Sequence, residues 1–558
     1  MKQCPQCSRL YADETLNFCL DDGAALVDRS TTETKTSILP SEASTQLHET
    51  IDPKSDAPAS ERASPLTPGK LWLPILLAAV LLVTGLFTYK YFLAPPDEQI
   101  DSLAVLPFVN DSGNPELEYL SDGLTESLIG SLAQLPQLSV KARNSVFRYK
   151  GKDSDLAQIG KDLGVEALLT GRMVRRGDDL KLYVELVEAR TEKVLWKADY
   201  QRSVSELAAL EDDLSGDIAN KLRTKLSGAE SERVAKLHTD DADAYELYLK
   251  GRYYAAGDQE KLEQSIRYYQ QALARDPDYA LAHVGLAYSY MSLGGVLGFM
   301  PPRETYPKAY DALKKALAIN EQLAEAHNAL AEYYLFYEWN WPAAKREYGR
   351  GLQLDPNSSG LHESYGTYLQ TIGRYDEAAR ERELSRKLDP MSAGVTADVG
   401  YPYYYAGKQE QAIEYFRKGL ELDPNYPWAH LWIGQSYLEM KMYPEAITEI
   451  DRAVELSGGA IRMVATRGYA YAVAGRRDDA VKIINELKAL SKQKYVSPYY
   501  FAIIYSGLGE KDQAFAYLNE AVAERQPYLV LTKAEPVFNN LRQDPRFAEI
   551  LRRIGIPQ

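Results

Sequence analysis

Cys4, Cys7 and Cys19 are the three cysteines of this 558-residue chain, and their spacing suits a metal ion. Two residues separate Cys4 from Cys7, two separate Cys19 from Asp22, and eleven lie between the pairs. Each short pair sets two ligands on one tight knuckle, and two knuckles close the tetrahedron that zinc prefers. Gly23 allows the turn after the second pair, and Asp21 is an alternative fourth ligand. With all four positions filled by protein, none is left for a substrate, so the metal would be structural. A head of about 25 residues cannot bury a sufficient apolar core, which favours a metal over plain thiols.

This head resembles a short zinc ribbon in which the last ligand is Asp instead of Cys. A second metal site is not expected. His283, His327, His362 and His430 each stand four residues before a small residue (Ala287, Ala331, Gly366 and Gly434). They hold one equivalent position in separate repeats, too far apart to share an ion, and should serve packing. The chain has no G-x-S-x-G elbow, no G-x-x-x-x-G-K-[ST] loop and no kinase Gly-rich loop. Its Asp and Glu pairs fall on helix exteriors as solvated charge. The sequence therefore reads as non-enzymatic, with no catalytic residue.

Elements that would position these residues follow in order. The head spans 1–25. Residues 26–69, rich in Ser, Thr, Pro, Glu and Ala, cannot bury enough surface to offset ordering entropy, and read as a disordered linker. Within 70–93, Leu71 to Tyr89 run without a charge, long enough at ~1.5 Å per residue to span about 30 Å of hydrocarbon. Trp72, Tyr89 and Tyr91 fit an interfacial belt. A buried core helix or a signal peptide fits less well, given the linker before it, Pro95 and Pro96 after it, and its late start. Lys54, Arg62 and Lys70 on one side against Lys90 on the other place the N-terminus in the cytoplasm. The expectation is a single-pass protein of the cytoplasmic membrane, with its C-terminal domains periplasmic or otherwise extracytoplasmic. Formal charge, −15, argues against a nucleic acid partner.

Residues 100–228 read as a mixed α/β domain. Strands are expected over 102–109 and 138–147 and in three runs from 166 to 202. Helices are expected over 121–135, capped by Ser121 or Asp122, and over 155–165 and 205–226. The segments SLAVLPFVNDSG, LEYLSDGLTESLI, IGKDLGVEALLTGRMVRRGDDLKL and VLWKADYQR resemble the TolB amino-terminal-like (FlgO-related) domain of bacterial membrane regulators. That resemblance implies a domain that follows a membrane helix and commonly precedes helical repeats.

From about residue 239 the sequence repeats. Ala344, Ala378, Ala412, Ala446, Ala480 and Ala514 stand 34 residues apart, as do Gly366, Gly400, Gly434 and Gly468. Tyr403, Tyr437, Tyr471 and Tyr505 keep the interval, and Pro356, Pro390 and Pro424 end second helices. This pattern resembles the tetratricopeptide repeat (TPR) family. It implies an all-α solenoid of about eight repeats over 239–538, with 539–558 capping its last apolar face. In that family the first helices line a concave groove. The residues after the small position would here place Tyr401, Tyr404, Tyr405, Gln435 and Tyr469 in it. An extended peptide held by aromatic and amide contacts is the expected ligand. The Lys and Asn set of chaperone-binding TPRs is missing. The expectation is thus a multidomain, membrane-anchored scaffold or sensor for protein partners, with zinc in its head and a homodimer as the usual state. An accessory regulator of a separate kinase, cyclase or transcription module, or a structural envelope assembly factor, is the alternative.

Overall fold

The computed structural model describes residues 100–558 other than 115, 116, 134, 136, 153, 223–237, 296, 297 and 558, together with three short strands near the N-terminus. The chain divides into two compact units, Met1–Ala94 and Pro95–Gln558. In the first, β1 (Lys2–Gln3) pairs antiparallel with β2 (Leu10–Tyr11) and with β3 (Val27–Asp28). The pairing of Lys2 with Asp28 draws two residues into the head that composition assigns to the linker. Cys4, Cys7, Cys19 and Asp22, and the apolar segment within 70–93, lie outside the described residues. Among the described residues, no helix is long and apolar enough to cross a membrane, and no group of three or more His, Cys, Asp or Glu is placed to hold a metal.

The second unit starts with the α/β domain. Its strands are β4 (Ser102–Val105), β5 (Val109–Asn110), β6 (Ser139–Val140), β7 (Ala167–Arg176), β8 (Asp179–Glu188) and β9 (Val194–Ser203). The order is β6-β4-β7-β8-β9, with β5 also on β7. β4 is parallel to β6 and β7, whereas β7, β8 and β9 form an antiparallel meander. Gly177, at φ +62°, turns the β7–β8 hairpin. Four helices complete the domain: α1 (Glu118–Ala133), α2 (Arg143–Phe147), α3 (Leu156–Leu163) and α4 (Leu207–Lys221).

Three expectations are corrected here. The strand expected over 102–109 breaks into β4 and β5 around Pro107, which has no N–H to give a ladder. The strand expected over 138–147 is two residues long and then becomes helical, with the Ser145 hydroxyl bonded to Asp389 in the solenoid. α1 begins at Glu118, so Ser121 and Asp122 are not caps but buried residues of its first turns, and Lys150 reaches the Asp122 carboxylate at 2.7 Å.

Eight antiparallel helix pairs follow. They are α5 (Ala242–Tyr254) with α6 (Gln259–Arg275), α7 (Ala280–Gly294) with α8 (Pro302–Ile319), and α9 (Ala324–Tyr333) with α10 (Trp341–Leu354). Next come α11 (Ser359–Thr371) with α12 (Tyr375–Leu388), then α13 (Ala393–Asp398) and α14 (Gly400–Tyr405), one broken helix, with α15 (Gln409–Leu422). The last three are α16 (Pro427–Glu439) with α17 (Tyr443–Leu456), α18 (Ile461–Val473) with α19 (Arg477–Leu490), and α20 (Pro498–Gly507) with α21 (Lys511–Ala523). The small positions explain the tight pairing. A Cβ on Gly434 would lie 2.6 Å from the Ile450 side chain and 3.0 Å from the Ala446 carbonyl. One on Gly400 would meet the Phe416 ring at 2.7 Å. The fold is therefore multidomain, a mixed sheet joined to a helical TPR solenoid.

Beyond α21 the chain does not simply cap the last pair. Helix α22 (Pro545–Ile554) does pack Phe547, Ile550 and Ile554 into the terminal core. Residues 526–541 instead fold back across first helices of earlier pairs, in short 3-10 turns at Pro527–Leu531 and Pro536–Phe538.

Candidate peptide-binding groove

The first helices are fixed by a recurring histidine clasp. His327 Nε2 lies 2.9 Å from the Glu321 carbonyl, while its Nδ1 lies 2.8 Å from Glu347 on the second helix. His362 makes the same contacts with Pro356 and Glu381 at 3.0 and 2.7 Å. His430 does so with Pro424 and Glu449 at 3.2 and 2.6 Å. His283 keeps the carbonyl bond, 2.9 Å to Pro277, without a carboxylate on Nδ1. One imidazole thus ties the preceding turn to its own helix and, in three units, to the next. Burial disfavours charge on His362, but its bonds to Glu381 and the Pro356 carbonyl raise its pKa overall. Burial lowers that of His283.

The five residues expected to line a groove lie on first helices of the fifth, sixth and seventh pairs. Tyr401 packs its ring 4.7 Å from Trp432 and under the Arg382 guanidinium at 5.1 Å. Tyr404, 2% exposed, meets Tyr405 and Trp432 edge-on at 5.0 and 5.1 Å. The Tyr405 hydroxyl donates to Glu535 at 2.9 Å. Gln435 is 6% exposed, with Nε2 lacking a partner, and Tyr469 is 8% exposed against Gly507. Tyr404, Tyr405, Gln435 and Tyr469 are therefore buried. What covers part of this layer is the chain's own segment: Leu531 and Ala534 pack on the cluster of Tyr404, Tyr405 and Trp432. Arg462 stacks 4.2 Å from the Tyr528 ring. Glu535 is pushed up to about 7 by burial, against the opposing pull of Arg462 and the Tyr405 hydroxyl.

The segment's entry is fastened at a distortion of α9. The residues that follow it, Tyr334–Glu338, form a π-turn that closes on Trp339 at φ +57°. Arg525 donates to the Tyr337 carbonyl at 2.9 Å and stacks 4.7 Å from the Trp339 ring. Trp341 Nε1 reaches the Ile554 carbonyl at 3.4 Å.

A second, polar half of the same helix series was not singled out from sequence. Asn328 Nδ2 donates to the Tyr288 hydroxyl at 3.0 Å, and Ser364 donates to Glu332 at 2.7 Å, linking three successive pairs. Glu363 and Asp398 follow, with Arg382 3.5 Å from Asp398 and bonded to Thr367 at 2.8 Å. Burial pushes Glu332 up to about 7. Burial and then Asp398 push Glu363 up to about 8. The signal was present: Glu332 and Thr367 directly follow Ala331 and Gly366, the position that selects Tyr401, Gln435 and Tyr469.

The α/β domain is seated on the solenoid at two places. Near the first pair, the Tyr119 hydroxyl donates to Glu246 at 2.6 Å. Fully buried Glu211 accepts from Ser131 at 2.8 Å and from Tyr245, with His238 at 3.1 Å. Farther along, Lys141 donates to the Lys387 carbonyl at 3.0 Å and Arg148 to that of Met391 at 3.2 Å. Between them lies a cavity of about 230 Å³, lined among others by Arg143, Tyr248, Arg252 and Glu325.

Comparison with known proteins agrees on the repeats. Residues 252–296 and 400–441 match TPR family models. The solenoid is a TPR array. Residues 98–217 match the family described as HilA/YgeH-like transcriptional regulator, second domain. That match stands in place of the TolB-like domain suggested by the sequence segments. The chain is similar to a protein named putative adenylate cyclase 3 from Rhizobium meliloti, 35% identical over 191 residues. The alignment covers 33% of this chain and 32% of that one, so the chain spans about a third of the curated relative's length. Among solved structures it is similar to PilF of Pseudomonas aeruginosa, 26% identical, covering 39% of this chain and 95% of that one at a TM-score of 0.30. Human IFIT1 in complex with PPP-AAAA is 14% identical, over 63% of this chain and 83% of that one, at a TM-score of 0.41.

Proposed function

We propose that this protein is a non-enzymatic, membrane-anchored scaffold or sensor whose solenoid and α/β domain engage protein partners. The observation that carries the reading is the seat of residues 526–541. An irregular stretch of chain rests on the first helices through a hydroxyl–carboxylate bond, Tyr405 to Glu535, and a guanidinium stacked on Tyr528. Those are the contacts by which such a surface holds a foreign peptide. Zinc on Cys4, Cys7, Cys19 and Asp22, a membrane span within 70–93, an N-terminus in the cytoplasm, extracytoplasmic C-terminal domains and a homodimer complete the proposal. Partner capture by full-length protein in membranes tests it, comparing wild type with Tyr401→Ala plus Tyr405→Ala. A folded variant that captures its partner undiminished would overturn it.

A second reading is an accessory regulator of a separate cyclase or transcription module. It is favoured by the name of the Rhizobium relative and by the family that matches 98–217. Cyclase activity in the purified chain itself would contradict both readings.

A further inference from the structure

The polar half of the inner surface gathers more carboxyl groups than cations among the described residues. Glu332, Glu363 and Asp398 come from three successive first helices, and the single guanidinium at this cluster, Arg382, lies 3.5 Å from Asp398. Among the described residues neither Glu332 nor Glu363 has an ion pair; Glu332 accepts from Ser364 and more distantly, at 3.5 Å, from Asn328. Buried carboxylates without a cation are costly, and they respond by holding protons at higher pH. Burial moves Glu332 in that direction, and burial together with the neighbouring Asp398 carboxylate moves Glu363, against the opposing pull of Arg382.

An independent observation points outward from the cluster. Asn328 is 8% exposed, and its Oδ1 has no hydrogen-bond partner although its Nδ2 is engaged. Asp398 Oδ1 is likewise without a partner. A buried carbonyl acceptor left empty costs about 1–3 kcal/mol. What would satisfy it is an N–H donor arriving between these helices, and a donor that also carries positive charge would serve the carboxylates at once.

We propose that this half of the groove receives a lysine- or arginine-bearing segment of a partner protein, its cation between Glu332 and Glu363 and an N–H on Asn328 Oδ1. The inference rests on the scaffold reading and supplies the chemistry of its partner. The aromatic half already holds residues 526–541, which leaves the polar half as the part that the chain's own segment does not fill. The charge is opposite to that of a TPR groove that grips a terminal carboxylate with Lys and Asn. A basic partner also suits a chain of net charge −15, because steering raises the encounter rate.

Two fluorescein-labelled decapeptides test this on the full chain in detergent micelles, one alternating lysine with glycine and one alternating glutamate with glycine. Binding is read by anisotropy. The lysine probe is expected to bind and the glutamate probe not to. Glu332→Gln plus Glu363→Gln is expected to weaken the lysine probe by about tenfold or more. The amides match the carboxylates in shape, and a retained melting transition confirms folding; Thr367→Lys is a second variant expected to compete for the site. Equal binding by the double variant, or no lysine-probe binding up to about 1 mM, overturns the inference. If that happens while partner capture still depends on Tyr401 and Tyr405, only the cation chemistry is wrong. If capture ignores all four substitutions, the scaffold reading falls with it.

Discussion

At the residue scale, the carboxylates of the inner surface set a pH dependence. Glu332 and Glu535 are held at about 7 and Glu363 at about 8 in the folded chain, against 4.5 for an ordinary glutamate. A folded-state pKa above the unfolded one means that the folded chain binds more protons between the two values. Their stabilising contribution is therefore complete below about pH 4.5 and is lost as pH rises to about 8. His362, also raised, acts in the same direction, whereas His283, lowered by burial, acts against it below about 6.5. Urea midpoints at constant ionic strength should fall from pH 5.5 to 8.5, and Glu332→Gln plus Glu363→Gln should flatten the fall. Midpoints that climb with pH would contradict the assignment. Tyr405→Phe removes the donor to Glu535 and should cost about 1–3 kcal/mol, read by urea unfolding together with faster amide exchange in 526–541. In the head, one zinc per chain is expected by elemental analysis, lost in Cys4→Ser with Cys7→Ser.

At the element scale, the repeats were legible because their cause is local. Two helices approach only where neither carries a side chain at the crossing, so Gly400 and Gly434 had to recur with Ala412 and Ala446. Gly434→Val should cost about 1–3 kcal/mol by overpacking against Ile450 and the Ala446 carbonyl, seen as a lower melting temperature with partner binding kept. The histidines could also be assigned to packing, since one position repeated means one local task. Other elements were not legible. ARNSVF has the look of a strand, but α2 is set by Asp389, 244 residues away from Ser145. Residues 526–541 form short 3-10 turns that start at Pro527 and Pro536. Nothing nearby in sequence says that Tyr528 belongs on Arg462 or Glu535 on Tyr405. The five groove residues lie on first helices, and for Tyr404 and Tyr405 part of the cover comes from that distant segment, through Leu531, Ala534 and Glu535.

At the scale of the second unit, the segment 526–541 and the α/β domain both lie on the solenoid, and they leave the stretch from Asn328 to Asp398 with unmet polar atoms. A scaffold that already holds part of its own chain in its groove is prearranged for binding, because less side-chain order remains to be imposed when a partner arrives. The central claim is that partners meet this inner surface. The most direct measurement places a photo-crosslinking amino acid at Thr367, beside Arg382, and separately at Glu414, whose side chain is 62% exposed on a second helix. The full chain is then irradiated in its native cells. The account predicts a discrete protein adduct from position 367, suppressed by the lysine decapeptide, and none from 414. Adducts of equal yield from both positions, or from 414 alone, would contradict it.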